Sequence, residues 1–426
     1  MEAYAKALLI AIPVFMVLVV IEFVAGLLLK NNTLKPLDTV SSLSSGLTNI
    51  IKSTLGLTLF IVSYPFLLKH LALFEIKASV TATIVGFIAI DFASYWNHRL
   101  NHRVNLFWNR HVIHHSSEEY NLPCALRQPI SVFFSFYPLF LIPAALAGVP
   151  TKLIAVIAPV HLFMQFWYHT KHIGKMGILE YIIVTPSQHR VHHAINPEYI
   201  DKNFAAIFCV WDRMFGSFQE ELEEHPPVYG VLKPARTWNP VRINFQHFYV
   251  LFRDAWNTRS WWDKVRIWFM PTGWRPEDVA QQYSYDYVED VYALEKYDTQ
   301  PSLAMQLWAF GQMSMSSLLL LYMFARFGQI GSPGVFLYGG LIFAGVYGYS
   351  AVMDRDKAGF WVELARSLVG FGIILKTGDW FGVNAFVPFG AVLIAAYFLA
   401  TIAGSAYFAF LEKAPQTPEA EASSAG

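Results

Sequence analysis

Repeated runs of about twenty apolar residues limit what this chain can fold into more than any other feature of its sequence. A helix rises about 1.5 Å per residue, so about 20 apolar residues cross the roughly 30 Å of hydrocarbon in a bilayer. Of the 426 residues, 55% are hydrophobic and only 15% are charged, which is too apolar for soluble domains. The sequence therefore predicts an all-α, polytopic integral membrane protein. The predicted spans before residue 171 lie near residues 8–29, 47–68, 80–96, 130–146 and 153–168.

A polar segment divides the apolar runs into two sets. Residues 171–302 are rich in aromatic residues, prolines and charges, which favours a cap outside the hydrocarbon. We expect residues 1–302 to form one membrane-bound domain that includes this cap, and residues 303–412 to form C-terminal transmembrane helices. The small, polar and acidic residues at 413–426 predict a disordered tail.

The charge balance and the cysteine content exclude several classes of function. Lysine and arginine together number 31, and aspartate and glutamate also number 31, so the chain has no net field to attract nucleic acid. We therefore expect no nucleic-acid partner. Cys124 and Cys209 are too few for a thiolate metal site or a framework of disulfide bonds.

Three histidine clusters are the strongest chemical signal in the sequence. The first is His98 and His102, directly after the third predicted span. In the second and third clusters, the first and last histidines are four residues apart and another lies between them. Residues four apart share one face of a helix, so a helical turn is predicted to direct all three rings at one point. These two clusters are His111, His114 and His115, and His189, His192 and His193.

The predicted topology places all three clusters on one side of the membrane. If residues 80–96 deliver the chain to one side, the hairpin of residues 130–168 returns it to that side. The short loops there carry more lysines and arginines than those opposite, which predicts the cytoplasmic face by the positive-inside rule. Because the clusters begin where apolar helices end, a lipid is expected to reach them laterally, past residues 121–123 and 133–137.

Eight converging imidazoles are too many for one ion. Neutral imidazole is a ligand suited to iron, copper, zinc and nickel, and a site without thiolates is not a typical structural zinc site. We therefore predict two metal ions that use molecular oxygen against an unreactive C–H bond. No catalytic side chain is predicted beyond this metal centre.

Further residues are predicted to complete or support the metal centre. A polar stripe runs along the fifth predicted span, and its residue His169 is chosen as the ninth ligand because it lies close to the cytoplasmic end. Asp91, seven residues before His98, is predicted to orient that ring through its second nitrogen. The other predicted supporting residues are His161, Gln165 and His172 of the stripe, and Asp201 after the third cluster.

At these residues the chain resembles the fatty acid hydroxylase and sterol desaturase superfamily, whose histidine pattern HxxxH, HxxHH and HxxHH it matches. Longer strings between residues 91 and 218 are similar to the alkylglycerol monooxygenase branch and its bacterial relatives, among them LEYIIVTPSQHRVHHA from Leu179 and WDRMFGSF up to Phe218. The resemblance implies two Fe ions, insertion of one oxygen atom into a membrane lipid, a separate electron donor and a bacterial inner membrane. In the ether-lipid branch it implies tetrahydrobiopterin as the source of electrons.

Several alternatives share parts of this pattern. A lipid or sterol desaturase, or a sterol or carotenoid hydroxylase of the same superfamily, would carry the same ligands. A membrane metal transporter would spread its histidines along several spans, whereas here they gather at span ends. A catalytically inactive lipid-binding relative would be expected to have lost some of the eight clustered histidines.

Overall fold

Helices account for nearly all the regular structure of this protein. The structure, a computed structural model, describes residues 2–412, with side chains from Leu8 onward, and the tail predicted at 413–426 lies outside this range. Within that range two strands of two residues each form a small sheet. The all-α prediction is therefore confirmed.

The first part of the chain surrounds one long helix, Val80–Arg103. The Ser79 hydroxyl begins it by accepting a hydrogen bond from the Ala82 amide at 3.2 Å. Its first turns are mainly apolar and its last turns carry His98 and His102, so one helix connects the apolar layer to the histidines. The elements up to the third cluster are α1 (Glu2–Leu28), α2 (Pro36–Thr54), β1 (Leu59–Phe60), α3 (Tyr64–Leu71), α4 (Val80–Arg103), α5 (Asn105–Trp108), α6 (Val112–His115), β2 (Phe134–Ser135), α7 (Tyr137–Phe140), α8 (Ile142–Leu146), α9 (Thr151–Phe163) and α10 (Pro186–His193).

Two of the predicted spans are not continuous helices. Residues 47–68 divide between the end of α2, strand β1 and α3, and Gly56 in the break has a φ of 67°. Residues 130–146 divide between β2, α7 and α8, and Pro138 and Pro143 lie in the first turns of the two short helices. Proline lacks the amide hydrogen that a continuing helix needs, which explains why an apolar run here does not form one helix. Strands β1 and β2 pair in parallel between the two segments.

A turn at residues 148–150, inside the hairpin predicted at residues 130–168, returns the chain toward the histidines. Gly148 adopts a φ of 75°, and a Cβ atom on it would lie 2.0 Å from the carbonyl oxygen of Phe74. Only glycine fits this conformation and this close approach. The following α9 packs against α4, and the last turn of α10 lies at the end of α4 that carries the first cluster, where the rings of His98 and His192 have centroids 4.3 Å apart.

The second part of the chain contains the cap and a bundle of long helices. Five helices in the described residues are long and apolar enough to cross a membrane, at residues 8–28, 303–325, 334–353, 358–377 and 390–411. The elements after α10 are α11 (Val210–Met214), α12 (Pro240–Asn257), α13 (Trp261–Arg266), α14 (Glu277–Gln282), α15 (Leu303–Ala325), α16 (Phe327–Ile330), α17 (Gly334–Met353), α18 (Ala358–Thr377) and α19 (Gly390–Ala406), which continues as a π-helical turn at Tyr407–Leu411.

The largest apolar core joins α2 to the C-terminal helices. Leu47 and Ile51 of α2 are buried in the same core as Met313 of α15. The Ser44 hydroxyl of α2 lies 2.6 Å from the Tyr349 hydroxyl of α17, so a buried hydrogen bond accompanies the apolar contact. The predicted boundary between residues 302 and 303 therefore does not separate two cores.

One buried ion pair lies inside the C-terminal bundle. An Arg366 nitrogen lies 2.6 Å from a Glu363 oxygen, and the two side chains are 2% and 0% exposed. Arg366 also donates to the Tyr397 hydroxyl at 3.3 Å, and this hydroxyl donates to Gln312 at 2.9 Å. Gly348 makes room for the carboxylate, because a Cβ atom there would lie 2.7 Å from Glu363. Each charge is tolerated in an apolar bundle only while its partner is present.

We expect Glu363→Ala to lower the free energy of unfolding by about 3 kcal/mol or more, because it leaves the Arg366 guanidinium buried without a counter-charge. The double variant Glu363→Met with Arg366→Met should recover most of that loss, since no unpaired charge remains. Thermal unfolding in detergent, compared with the wild-type protein, measures both effects. Equal destabilisation by the single and double variants would contradict this account.

Candidate metal centre

All nine histidines predicted as ligands are brought together by the fold. They form two groups, and the ligand nitrogens of each group lie within 4.8 Å of one another. The two groups are in contact, since the rings of His115 and His193 stack with centroids 4.4 Å apart. The first group is His98, His102, His111, His115 and His192, and the second group is His114, His169, His189 and His193.

Each histidine triplet divides between the two groups, which corrects the prediction that one helical turn directs all three rings at one point. A helix turns about 100° per residue, so residues four apart share a face and the residue between them lies to the side. His189 and His193 belong to the second group, whereas His192 belongs to the first. In the other triplet, the outer two histidines join the first group and His114 joins the second.

The helix that carries the third cluster is polar and yet wholly buried. All eight residues of α10 are buried, and Thr185 caps the helix by accepting a hydrogen bond from the Gln188 amide at 3.4 Å. Arg190 forms a bidentate ion pair with Glu221, with nitrogen–oxygen distances of 2.8 and 2.7 Å. It also donates to the carbonyl of Ile173 at 2.8 Å. These bonds hold a polar helix inside the protein, where an unpaired guanidinium would be unfavourable.

Ring nitrogens converge inside each group at distances that suit a shared ion. The Nε2 atoms of His98 and His111 lie 2.8 Å apart. In the second group the Nε2 atom of His189 lies 3.0 Å from that of His169 and 3.1 Å from that of His193. Nitrogens bound to one ion, each at about 2.1 Å from it, lie about 3 Å apart. Among the described residues, three further Nε2 atoms of the first group are buried without a hydrogen-bond partner, those of His102, His115 and His192.

Burial keeps these imidazoles neutral, the form in which a ring nitrogen binds a metal. Desolvation, with a smaller contribution from His102, lowers the pKa of His98 from 6.5 to about 3. Desolvation likewise lowers the pKa of His169 to about 3. It is also the main cause that lowers the pKa of each of the other seven histidines. At neutral pH the two groups therefore present free lone pairs and no mutually repelling imidazolium charges.

Backbone carbonyls orient three of the rings. The Nδ1 atom of His98 donates to the carbonyl of Phe204 at 2.8 Å, and that of His192 donates to the carbonyl of Lys202 at 2.9 Å. His169 donates in the same way to the carbonyl of Gln165 at 3.0 Å. With the proton on Nδ1, the Nε2 atom of each ring keeps its lone pair for a metal.

A buried carboxylate holds the loop that provides two of these carbonyls, those of Lys202 and Phe204. Asp212 is 1% exposed and accepts hydrogen bonds from the amides of Phe204 at 2.8 Å and Ala205 at 2.9 Å. It also accepts from the Ser217 hydroxyl at 2.7 Å. Asn203, with a φ of 54°, ties the same loop to α10 by donating to the carbonyl of Gln188 at 3.0 Å.

Asp91 does not orient His98, contrary to the prediction. Its carboxylate accepts hydrogen bonds from the Ile207 amide at 2.9 Å, the Trp211 indole at 2.9 Å and the His161 ring at 2.8 Å. Seven residues of helix separate Asp91 and His98 by about 10 Å along the axis, which is too far for a direct bond. Asp91 instead fixes the chain that follows the carbonyl-bearing loop.

The other predicted supporting residues have different outcomes. The Gln165 amide lies 3.2 Å from the Nδ1 atom of His161, so these two residues connect Asp91 to the turn that carries His169. Asp201 lies 3.6 Å from the Nδ1 atom of His102, beyond hydrogen-bond distance, and pairs with Arg103 at 2.9 Å. His172 belongs to neither group, and both of its ring nitrogens lack a partner among the described residues.

The sequence prediction missed a carboxylate in the first span. Glu22 is 4% exposed and accepts hydrogen bonds from the Leu122 amide at 2.7 Å and the Thr170 hydroxyl at 3.0 Å. It thus connects α1 to the residue that follows His169. An ionisable residue inside an otherwise apolar run was the available signal, because such residues rarely lie in a span without a partner.

A cavity of about 270 Å³ lies beside the first group. Its lining includes His102, His115 and His192, together with apolar residues such as Val250 and Leu251 of α12. The predicted lateral slot, by contrast, involved residues 121–123 and 133–137, which are not part of this lining. The cavity walls come from segments far apart in the chain, which periodicity in the sequence does not connect.

A larger cavity of about 630 Å³ lies beside the residues that follow the second cluster. Its lining is charged, and four of the charged side chains form two ion pairs. Arg127 lies 2.6 Å from Asp38, and Lys296 lies 2.6 Å from Glu119. These pairs hold α2 and residues 296–301 against the loop after His115.

Comparisons with known proteins find similarity in the segment that carries the histidines. The fatty acid hydroxylase family model matches residues 83–217, a range that contains all nine of them. The alkylglycerol monooxygenase of Homo sapiens is 36% identical over 268 residues, which cover 62% of this chain and 59% of the human protein. The Xenopus tropicalis alkylglycerol monooxygenase is 36% identical over 264 residues, covering 62% of this chain and 58% of that protein.

More distant relatives are hydroxylases of other lipids. The ornithine lipid hydroxylase OlsE of Rhizobium tropici is 28% identical over 136 residues, 32% of this chain and 41% of that protein. The chain spans about three fifths of the length of the alkylglycerol monooxygenases named above, with 59% and 58% covered. No solved structure matches the chain.

We expect His114→Ala and His192→Ala each to reduce the bound iron from about two ions to about one per chain or fewer, because the two residues belong to different groups. His172→Ala is the matched control, since this half-buried histidine lies in neither group. Iron per purified chain is measured by mass spectrometry of the metal. Full occupancy in both cluster variants would contradict the proposed ligand sets.

We expect the metal-free protein to become less stable as the pH falls from about 7.5 to about 5.5. Histidines of the unfolded chain bind protons near a pKa of about 6.5, whereas His98 and His169, with pKa values of about 3, remain neutral when folded. Below a pH of about 6.5 the unfolded state therefore binds more protons than the folded state. Each such histidine then lowers the free energy of unfolding by up to ~1.4 kcal/mol per pH unit. Thermal unfolding across this range measures the slope, which His98→Gln should reduce. A pH-independent midpoint would contradict burial of neutral rings.

Proposed function

We propose that this chain, whose residues 83–217 match the fatty acid hydroxylase family model, is an oxygen-dependent di-iron monooxygenase that hydroxylates a membrane lipid. The observation that carries the proposal is the packing of nine imidazoles, seven of them buried and two half-buried, into two groups beside a cavity. Similarity to the alkylglycerol monooxygenases, at 36% identity, makes an ether lipid the first substrate to test.

The donors of the two groups suit iron. Imidazole binds iron, copper, zinc and nickel, and among these metals iron and copper react with oxygen. The fatty acid hydroxylase domain favours iron over copper. Five histidines of the first group would hold one ion and four of the second group would hold the other. When bound, the irons would supply the redox chemistry with oxygen that no side chain can supply.

The protein itself positions the ligands and keeps water away. The carbonyls of residues 165, 202 and 204 hold three rings in one orientation, so the lone pairs remain directed into the groups. Two aromatic rings flank His102, with centroids 5.2 Å away for Phe204 and 5.1 Å away for Trp108. These rings limit the approach of bulk water, which could otherwise occupy the open positions beside the metal ions that oxygen and the substrate would need.

The 270 Å³ cavity is the proposed place for the reacting carbon of the substrate. Its histidines belong to the first group, and its apolar walls suit an alkyl chain. Hydroxylation converts one C–H bond, one oxygen molecule, two electrons and two protons into a C–OH group and water. If the carbon lies beside an ether oxygen, the product is a hemiacetal, which collapses to a fatty aldehyde and a glycerol lipid.

The electrons and the orientation of the protein are further parts of the proposal. The reaction requires a separate two-electron donor, and tetrahydrobiopterin is the first one to test because the histidine segments resemble the ether-lipid branch.

We also propose that the histidines face the cytoplasm of a bacterial inner membrane. The excess of lysine and arginine in the short loops on their side supports that orientation.

We expect the reconstituted protein, supplied with iron, a reductant and ¹⁸O₂, to convert an alkylglycerol into a labelled aldehyde and free glycerol. The matched control substrate is the ester-linked analogue, which has no hydrogen-bearing carbon in the same relation to an ether oxygen. Mass spectrometry of the products under rapid quenching detects the label before it exchanges with water. Formation of an unlabelled double bond would identify a desaturase, and lack of any oxidised lipid with iron fully bound would contradict the proposal.

A further inference from the structure

The two helices α12 and α13 present a row of exposed apolar side chains outside the five long apolar helices. On α12, Tyr249, Phe252 and Trp256 are 65%, 62% and 84% exposed. On α13 and the turn after it, exposed apolar residues continue. These are Trp261, Trp262, Val265 and Phe269. We call all seven residues the aromatic face.

Helical spacing places the aromatic face on one side of each helix. Residues 249, 252 and 256 follow the spacing of three and four that defines one helical stripe. The opposite side of α12 carries the buried residues Val250, Leu251 and Asp254. On α13, residues 261, 265 and 269 repeat every four residues. An outward apolar stripe of this kind is unusual on a surface in contact with water and is typical of an interaction surface.

The composition of the aromatic face matches the headgroup layer of a bilayer. Tryptophan and tyrosine are enriched where lipid tails meet water, because their rings combine an apolar body with a polar edge. Charges along residues 249–269 are mainly basic, since four cations face two acids and leave a net charge of +2. The cations are Arg253, Arg259, Lys264 and Arg266, and the acids are Asp254 and Asp263. Basic residues beside exposed aromatic rings favour an anionic leaflet over a neutral one.

The aromatic face continues into other exposed apolar surface. Phe245 of α12 stacks on Phe133, with ring centroids 6.3 Å apart and planes at 25°. Phe133 itself is 52% exposed, and it precedes β2, where Phe134 is exposed too. Strand β1 pairs with β2 and adds the exposed Leu59. One apolar surface therefore extends from α12 and α13 to the two predicted spans that are not continuous helices.

The inner side of α12 and the segment after α13 form part of the cavity at the first histidine group. Val250 and Leu251 line the cavity, next in sequence to the exposed Phe252. Pro271, two residues after the exposed Phe269, also lines it and is itself exposed. A cavity of about 270 Å³ is smaller than the roughly 300–1,000 Å³ that encloses a whole drug-sized ligand, so a long-chain lipid cannot enter completely.

We propose that α12 and α13 lie in the headgroup layer of an anionic leaflet and guide the lipid substrate from that leaflet into the cavity. The reacting part of the lipid enters between α12 and the first histidine group, while its alkyl chain remains in the bilayer. The membrane contact depends only on the aromatic face. The guiding role rests on the proposed function.

Site-specific fluorescence tests the membrane contact without reference to activity. Both native cysteines are buried, so Trp261→Cys can be labelled selectively in the full chain reconstituted into nanodiscs of phosphatidylcholine and phosphatidylglycerol. We expect a lipid-borne spin label near the headgroup to quench this fluorophore several-fold more than aqueous acrylamide does. Glu224→Cys, at an exposed acidic position of the cap, is the control and should show the reverse order.

Two outcomes of that experiment overturn the proposal. Quenching of the residue 261 label by acrylamide to the same extent as the residue 224 label would show that the face is in water. Protection from both quenchers would show that protein covers the face, and crosslinking would then identify a second copy of the chain. Replacing Arg259 by Glu should weaken the lipid-borne quenching in phosphatidylglycerol nanodiscs, and an unchanged value would remove the preference for an anionic leaflet.

Kinetics test the guiding role. The double variant Trp256→Gln with Trp261→Gln should raise KM several-fold for substrate embedded in the bilayer and leave kcat unchanged. KM for a short-chain, detergent-dispersed substrate should stay at the wild-type value, since such a substrate does not arrive through the leaflet. Equal KM values for both substrates in the variant and the wild type would overturn the guiding role. If no lipid is oxidised at all, the proposed function fails while the fluorescence result still decides the membrane contact.

Discussion

The structure depends on holding nine uncharged imidazoles together in a space that excludes water. Buried ring nitrogens that face one another without protons or partners are unfavourable in a protein interior. Two bound cations would convert these nitrogens from unsatisfied polar atoms into ligands, so metal binding and folding of this region are coupled. The burial of every residue in α10, a helix of mostly polar residues, follows from the same requirement.

Carboxylates hold the histidines of the two groups indirectly, by binding the backbone and side chains next to them. Asp212 accepts hydrogen bonds from the amides of residues 204 and 205, and Asp91 accepts them from the amides of residues 207 and 208. The carbonyls of Phe204 and Lys202 in turn orient His98 and His192. Glu22 fixes the turn after His169 in a comparable way, through Thr170. A rigid backbone loop can hold several rings at once, whereas a carboxylate in direct contact holds one ring. Among the described residues, each of the two groups consists of histidines alone.

The membrane-facing parts of the protein are organised around this centre. α4 brings two histidines to the end of an apolar helix, and the interrupted spans leave apolar side chains exposed beside it. The C-terminal helices share their core with α2, which in turn is tied to the loop after the second cluster by the buried Arg127–Asp38 pair. The C-terminal bundle therefore supports the segment next to the histidines and is not an independent membrane anchor.

The sequence by itself determined the helical class, the membrane character and the identity of the nine histidines that meet, because apolar run length and histidine spacing are local properties of the chain. Tertiary structure decided how those histidines divide, since His114 and His192 lie on different helix faces from their neighbours in the triplets. It also decided which atoms orient the rings. Backbone carbonyls such as that of Phe204 have no side-chain signature, and the cavity beside His102 is assembled from segments far apart in the chain. Long-range packing alone brings such groups together, and no periodicity in the sequence records it.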